Sequence, residues 1–163
     1  GVTSKQLQYR NDIANPRTLK IGARLVIPNQ QYREARAVNQ WTRFIWPLKN
    51  LDVSSEFGTR SGRHKGIDLR APRGTSIYAA ADGVVYFAGR QRGYGNVIIL
   101  KHAGNIKTLY AHNEKNMVSK GQQIRQGELI ATVGRTGKAS GNHLHFEYAQ
   151  GPQRLNPRDY IAK

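Results

Sequence analysis

From residue 44 onward the chain is written in short apolar runs cut by glycine, and that rhythm constrains its fold more than any other feature. Runs such as Val97-Ile98-Ile99-Leu100 and Leu129-Ile130-Ala131-Thr132-Val133 have the length of strands, not of helices. Between such runs stand turn signals, Ala81-Asp82-Gly83, Arg92-Gly93-Tyr94-Gly95-Asn96 and Arg135-Thr136-Gly137. Strands are expected at 66–69, 76–79, 83–88, 96–102, 107–111, 129–133 and 143–148. Many short strands at close spacing, with no long amphipathic helix, predict an all-β fold built as a sandwich or barrel-like sheet.

A length of 163 residues allows one sizeable domain and a small appendage. No apolar run reaches the roughly 20 residues that span a bilayer, so no transmembrane segment is expected. The start, Gly1-Val2-Thr3-Ser4-Lys5-Gln6, lacks the apolar stretch of a signal peptide, and any export signal or lipid anchor is expected upstream of it or not at all. There is no cysteine, which excludes disulfides and thiolate metal sites; a metal here must be held by His, Asp or Glu. The formal charge of +16 favours a polyanionic partner such as nucleic acid, an anionic membrane or a wall polymer. Basic and aromatic residues alternate between Arg33 and Trp46, but no nucleic-acid motif appears, so no specific nucleic-acid partner is expected.

Four of the five histidines fall where chemistry is plausible. His143-Leu144-His145 opens a strand-like run, and residues two apart on a strand project from one face, so both imidazoles point the same way. His64-Lys65-Gly66-Ile67-Asp68 sets an imidazole and a carboxylate four apart, on a loop that runs into a strand. Zinc takes imidazoles with at most one carboxylate, and a catalytic site uses three protein ligands and keeps a position open. His64, Asp68 and His145 make such a set. His102, between Lys101 and Ala103-Gly104-Asn105, reads as an exposed turn residue outside the site.

The order of four motifs resembles the LytM/lysostaphin-type zinc metallopeptidases over residues 46–161. They are Phe57-Gly58-Thr59-Arg60 with Arg63-His64-Lys65-Gly66-Ile67-Asp68; Ala79-Ala80-Ala81-Asp82-Gly83-Val84-Val85; Tyr110-Ala111-His112; and Gly134-Arg135-Thr136-Gly137 with His143-Leu144-His145-Phe146-Glu147. The ending Leu155-Asn156-Pro157-Arg158-Asp159-Tyr160 is also similar. The resemblance implies an antiparallel β architecture with a groove and a Zn2+ ion held by His64, Asp68 and His145. It also implies that His112 and His143 face the water of that site and share its proton transfers, as general base and donor. There is no His-Glu-x-x-His helix motif, so no glutamate base of that kind is present.

Near the N-terminus, Gly22-Ala23-Arg24-Leu25-Val26-Ile27-Pro28 resembles the end of a LysM carbohydrate-binding module whose first half is absent. The expected organisation is therefore a partial LysM-like segment at 1–30, a linker at 31–43 and the LytM-type domain at 44–163. Family resemblance implies hydrolysis of peptide cross-links or bridges in bacterial peptidoglycan, in the periplasm or outside the cell. The LysM-like prefix, Arg92-Gly93-Tyr94-Gly95-Asn96 and Tyr110-Ala111-His112-Asn113 resemble a second branch, whose members activate wall amidases during cell division instead of cutting the wall. Members of that branch typically lack zinc ligands, whereas both ligand motifs are intact here. Peptidoglycan is the expected partner on either reading, with an amidase or division protein added on the second.

Overall fold

The computed structural model describes residues 44–161 together with Gln8 and Ile13. The chain divides into two compact units, Gly1–Trp41 and Thr42–Lys163. In the first, Ile13 N–H donates to the Gln8 carbonyl at 2.9 Å; the LysM-like segment and the linker otherwise lie outside the described residues.

The second unit is the all-β domain that the glycine-cut runs predict. Ten strands follow one another: β1 (Asp52–Ser55), β2 (Ile67–Arg70), β3 (Ser76–Tyr78), β4 (Gly83–Gln91), β5 (Gly95–Lys101), β6 (Ile106–Asn116), β7 (Gln123–Ile124), β8 (Leu129–Val133), β9 (His143–Gln150) and β10 (Gln153–Leu155). Every ladder between them is antiparallel, in the order β1-β2-β9-β6-β5-β4-β7, with β8 joining β3 to β6 and β10 lying on β9. Among residues 44–161 helical structure is limited to short 3-10 turns, and no described helix is long and apolar enough to cross a membrane.

Alternation along the central strands separates two buried faces. Ile67 and Leu69 of β2, and Leu144, Phe146 and Tyr148 of β9, enter the main apolar core with Ile77, Ile98, Leu100, Tyr110 and Ile130. Asp68, His145 and Glu147 take the opposite phase and are just as deeply buried. The register carries the pattern across the sheet, since Asp68 faces His145 and Ala111 faces His145 from the other side. Residue 66 must be glycine for β2 to dock, because a Cβ there would stand 2.3 Å from the Phe146 carbonyl oxygen.

Three short strands, β1, β7 and β10, are missed by apolar patterning because they carry too few core positions to leave a periodic trace. The expected end of the 107–111 strand is also too early. β6 runs to Asn116 through His112, whose φ of +62° puts a kink in the strand that hydropathy does not encode.

His102 is a correction. It is 3% exposed, not an exposed turn residue, and packs edge-on against Phe44 at 5.1 Å between ring centroids. Its Nδ1–H donates to the Asp82 carbonyl at 2.8 Å, and Nε2 lies 2.7 Å from the Thr108 hydroxyl. With Nδ1 donating, Nε2 of the neutral ring accepts from Thr108. The Thr108 hydroxyl, 2.9 Å from that of Tyr110, and the Ala80 N–H on Tyr110 complete a saturated chain.

Burial pushes the His102 imidazole down to about 4, against partial opposition from the Asp82 carbonyl. The unfolded chain therefore binds a proton between pH 6.5 and about 4 that the folded chain refuses, and the stability contributed by neutral His102 is lost as pH falls through that window. The expected loss is about 3 kcal/mol by pH 4. Urea unfolding at pH 7.5 and 4.5 measures it, and a His102→Gln protein, which no longer titrates there, should show the smaller change.

Candidate metal centre

Three elements converge on one point: the loop before β2 brings His64, β2 brings Asp68 and β9 brings His145. His64 Nε2 lies 3.0 Å from Asp68 Oδ1, and His145 Nδ1 lies 2.7 Å from the same oxygen and 3.2 Å from His64 Nε2. One donor atom from each residue falls within 4.8 Å of the others, and all three residues are buried.

The outward-facing nitrogens fix the tautomers. His64 Nδ1–H donates to the Glu56 carbonyl at 2.7 Å, which can only accept, so Nε2 carries the lone pair. His145 Nε2–H donates to Glu147 Oε1 at 3.1 Å, so Nδ1 is the nitrogen that faces the cluster and is free to bind a metal once it gives up its proton. Two imidazole nitrogens and a carboxylate oxygen therefore face one another out of water and need positive charge between them, which a proton on His145 Nδ1, shared with Asp68 Oδ1, provides when the site holds no metal. A divalent cation supplies it, and the donor set of two imidazoles and one carboxylate with outer-sphere partners fits zinc.

The electrostatics of the residues agree. Burial raises the Asp68 carboxyl, but the His145 hydrogen bond and the neighbouring imidazoles outweigh it and hold the group well below the usual carboxylate range. Asp68 Oδ2 accepts from Arg60 Nη2 at 2.8 Å, which spends that oxygen and leaves Oδ1 for the centre. For His145, burial works downward, while Asp68 and Glu147 prevail and raise its basicity.

His143 and His112 flank this cluster. His143 sits on the same face of β9 as His145, its Nδ1–H tied to the Gly141 carbonyl at 2.9 Å and its Nε2 3.9 Å from Asp68 Oδ1. His112 donates Nδ1–H to the Thr136 carbonyl at 2.7 Å, and its ring centroid lies 4.7 Å from that of His143 and 6.0 Å from that of His145. The left-handed backbone of a non-glycine residue is strained, and here it turns the His112 side chain toward the cluster. Burial pushes the His112 ring down to about 4, so it is neutral at physiological pH with Nε2 unprotonated. Thus all five histidine and aspartate positions singled out in the sequence lie together: three within mutual bonding reach and two beside them.

Sequence reading missed the shell behind His145. Glu147 is 1% exposed and accepts from His145, from the Tyr94 hydroxyl at 2.7 Å and from Arg154 Nε at 2.5 Å. Burial opposes its ionisation, but these three donors lower its pKa. Its position in His143-Leu144-His145-Phe146-Glu147 was a usable signal, since strand alternation puts Glu147 on the face of both histidines. Nothing local in the sequence marks Tyr94, Arg154 or Arg60 as its partners or those of Asp68.

The family model described as "Peptidase family M23" matches residues 62–157, a stretch that holds every residue of this cluster. The DD-carboxypeptidase/endopeptidase Mpg of Neisseria meningitidis is 43% identical over 120 residues, covering 69% of this chain and 28% of that protein. The murein hydrolase activator NlpD of Escherichia coli is 42% identical over 119 residues, covering 72% of this chain and 31% of that one. The chain thus spans under a third of the length of both. The crystal structure of a zinc-containing peptidase from Vibrio cholerae superposes with a TM-score of 0.66 at 31% identity, covering 71% of this chain and 39% of that chain. A family match over more than half of the residues, on the same all-antiparallel domain, has one consequence: the chain belongs to peptidase family M23.

Proposed function

We propose that this protein is a zinc-dependent endopeptidase that hydrolyses peptide cross-links or bridges of bacterial peptidoglycan in the cell envelope. The observation that carries the reading is the undiminished set of His64, Asp68 and His145 with His112 and His143 beside it. When bound, the metal supplies a Lewis acid that polarises the scissile carbonyl and makes water acidic enough to attack near neutral pH.

The chain's own residues do the rest. His64, Asp68 and His145 hold their donor atoms toward one point through bonds to Glu56, Arg60 and Glu147. His112 and His143 each have Nδ1–H committed to a carbonyl, so each presents Nε2 to the reacting groups. One Nε2 takes the proton of the attacking water and returns it to the departing amide nitrogen; the other, protonated, donates to the developing oxyanion.

A second reading has its own support. The relationship to NlpD, a protein named for activating murein hydrolases, fits a role as an activator of a wall amidase. Two assays separate the readings. Purified protein loaded with one equivalent of zinc should release cross-linked muropeptides, and chelation should stop that release until zinc is restored. Amidase stimulation that persists after chelation, with no release of cross-links at any zinc level, would replace the first reading by the second.

A further inference from the structure

Beside the metal cluster lies a cleft of about 770 Å³ that the chemistry above does not use. Leu48 and Tyr78 contribute apolar walls, and Lys49, Asp52, Arg70 and Asn142 bring charge and hydrogen bonds to it. Its connection to the cluster is built into the sheet. Arg70 lies two residues beyond Asp68 on β2, so both side chains leave the same face, about 7 Å apart along the strand. In the ladder Arg70 faces His143 on β9, as Asp68 faces His145. Arg70 thus stands between His143 and the cleft, and Asn142, the residue before His143, belongs to the cleft lining.

The charges of the cleft are incompletely matched. Arg70 is exposed, and no carboxylate lies within ion-pair distance of its guanidinium among the described residues, although Asp52 faces it across the β1–β2 ladder. Lys49, also exposed, rests its ammonium 5.8 Å from the centre of the Tyr78 ring. Two cations against one carboxylate leave the cleft with a net positive charge. A guanidinium with all its donors available is the side chain best shaped to take a carboxylate through two parallel hydrogen bonds.

We infer that this cleft is a specificity subsite for a carboxylate on the peptide substrate, held by Arg70 with Lys49 as the supporting cation. An extended peptide advances no more than about 3.6 Å per residue, which sets the recognised carboxylate about two residues from the bond presented to His143 and His112. The inference rests on the endopeptidase reading for the identity of the ligand as a wall peptide. It adds that amidation of that carboxylate governs which cross-links are chosen.

The test uses zinc-loaded full chain and two preparations of the same cross-linked muropeptides, one with free carboxylates and one amidated by carbodiimide coupling to methylamine. Wild-type protein should favour the free acids by about tenfold or more in kcat/KM, the effect of one charge-assisted contact, and mainly through KM. Arg70→Ala should reduce the preference to below about twofold, with Arg70→Lys between them. Arg90→Ala, an exposed arginine of β4 outside the cleft, should keep the preference. Asp52→Asn, which removes the competing carboxylate, should enlarge it, a gain that misfolding cannot mimic. Equal rates on both preparations by wild-type protein, or a preference that survives Arg70→Ala, overturn the subsite. If wild-type protein cleaves neither preparation, calorimetric binding of the same two preparations decides the cleft separately. Tighter binding of the free acids that vanishes in Arg70→Ala then sustains the subsite while the endopeptidase reading falls, and equal binding removes both.

Discussion

His145→Ala should retain no stoichiometric zinc and should release muropeptides on the order of 10³-fold more slowly than the wild-type protein, while His112→Asn keeps its zinc and still loses 10²- to 10⁴-fold in kcat. The two variants separate holding from proton transfer. His145 supplies one of three donor atoms that meet within 4.8 Å, and two donors do not define a site of useful affinity. Its loss also removes one of the three donors that hold the buried Glu147 carboxylate, leaving Tyr94 and Arg154.

His112 supplies no atom to that triad and stands beside it, ring to ring with His143 at 4.7 Å. Asparagine is the replacement of choice because φ is +62° there, a conformation that asparagine tolerates better than alanine. Zinc by mass spectrometry of the native protein and single-turnover release of muropeptides measure the pair. Equal zinc content in His145→Ala and wild type would move the metal elsewhere, and full turnover by His112→Asn would remove that residue from the reaction.

Glu147→Ala should weaken zinc binding by about 10- to 100-fold and destabilise the fold by roughly 3 kcal/mol, although Glu147 offers no donor atom of its own to the triad and acts through the far nitrogen of His145. Three donors converge on its carboxylate: His145 Nε2, the Tyr94 hydroxyl and Arg154 Nε. Without the acceptor, the His145 ring is no longer fixed with Nδ1 toward Asp68, and its other nitrogen is buried without a partner. The destabilisation is set at the low end for a broken buried ion pair because 40% of the Arg154 side chain remains exposed to water. Glu147→Gln keeps an acceptor oxygen but no charge, so it should fall between alanine and wild type. Competition with a chromogenic chelator reads the affinity, and urea unfolding of the zinc-free protein reads the stability separately. An unchanged affinity in Glu147→Ala would reduce Glu147 to a structural role.

How far the sequence went can be followed strand by strand. Apolar runs of β2, β3, β4, β5, β6, β8 and β9 were visible because each sends side chains into the core, and burial is what hydropathy records. Short strands β1, β7 and β10 were not, since they are held by ladder hydrogen bonds to stronger neighbours. His102 was misplaced for a related reason. An imidazole next to a lysine and a glycine-containing turn has the local character of a surface residue, and only the fold wraps Phe44, Asp82 and Thr108 around it.

The same division holds at the metal centre. By itself the sequence determined the donor types, the absence of cysteine among them, and the local pairings: His143 with His145 on one face of a strand, and His64 four residues before Asp68. Those are short-range facts, set by the two-residue period of β structure. Only the tertiary structure decided that the two pairs meet, because the antiparallel register of β2 on β9 sets Asp68 opposite His145 across 77 residues of chain. It also decided which nitrogen of each ring faces inward, through acceptors at Glu56, Gly141, Thr136 and Glu147 that no spacing rule connects to the histidines. Register and tautomer depend on what the chain packs against, and Arg70 opposite His143 owes its place to that same register.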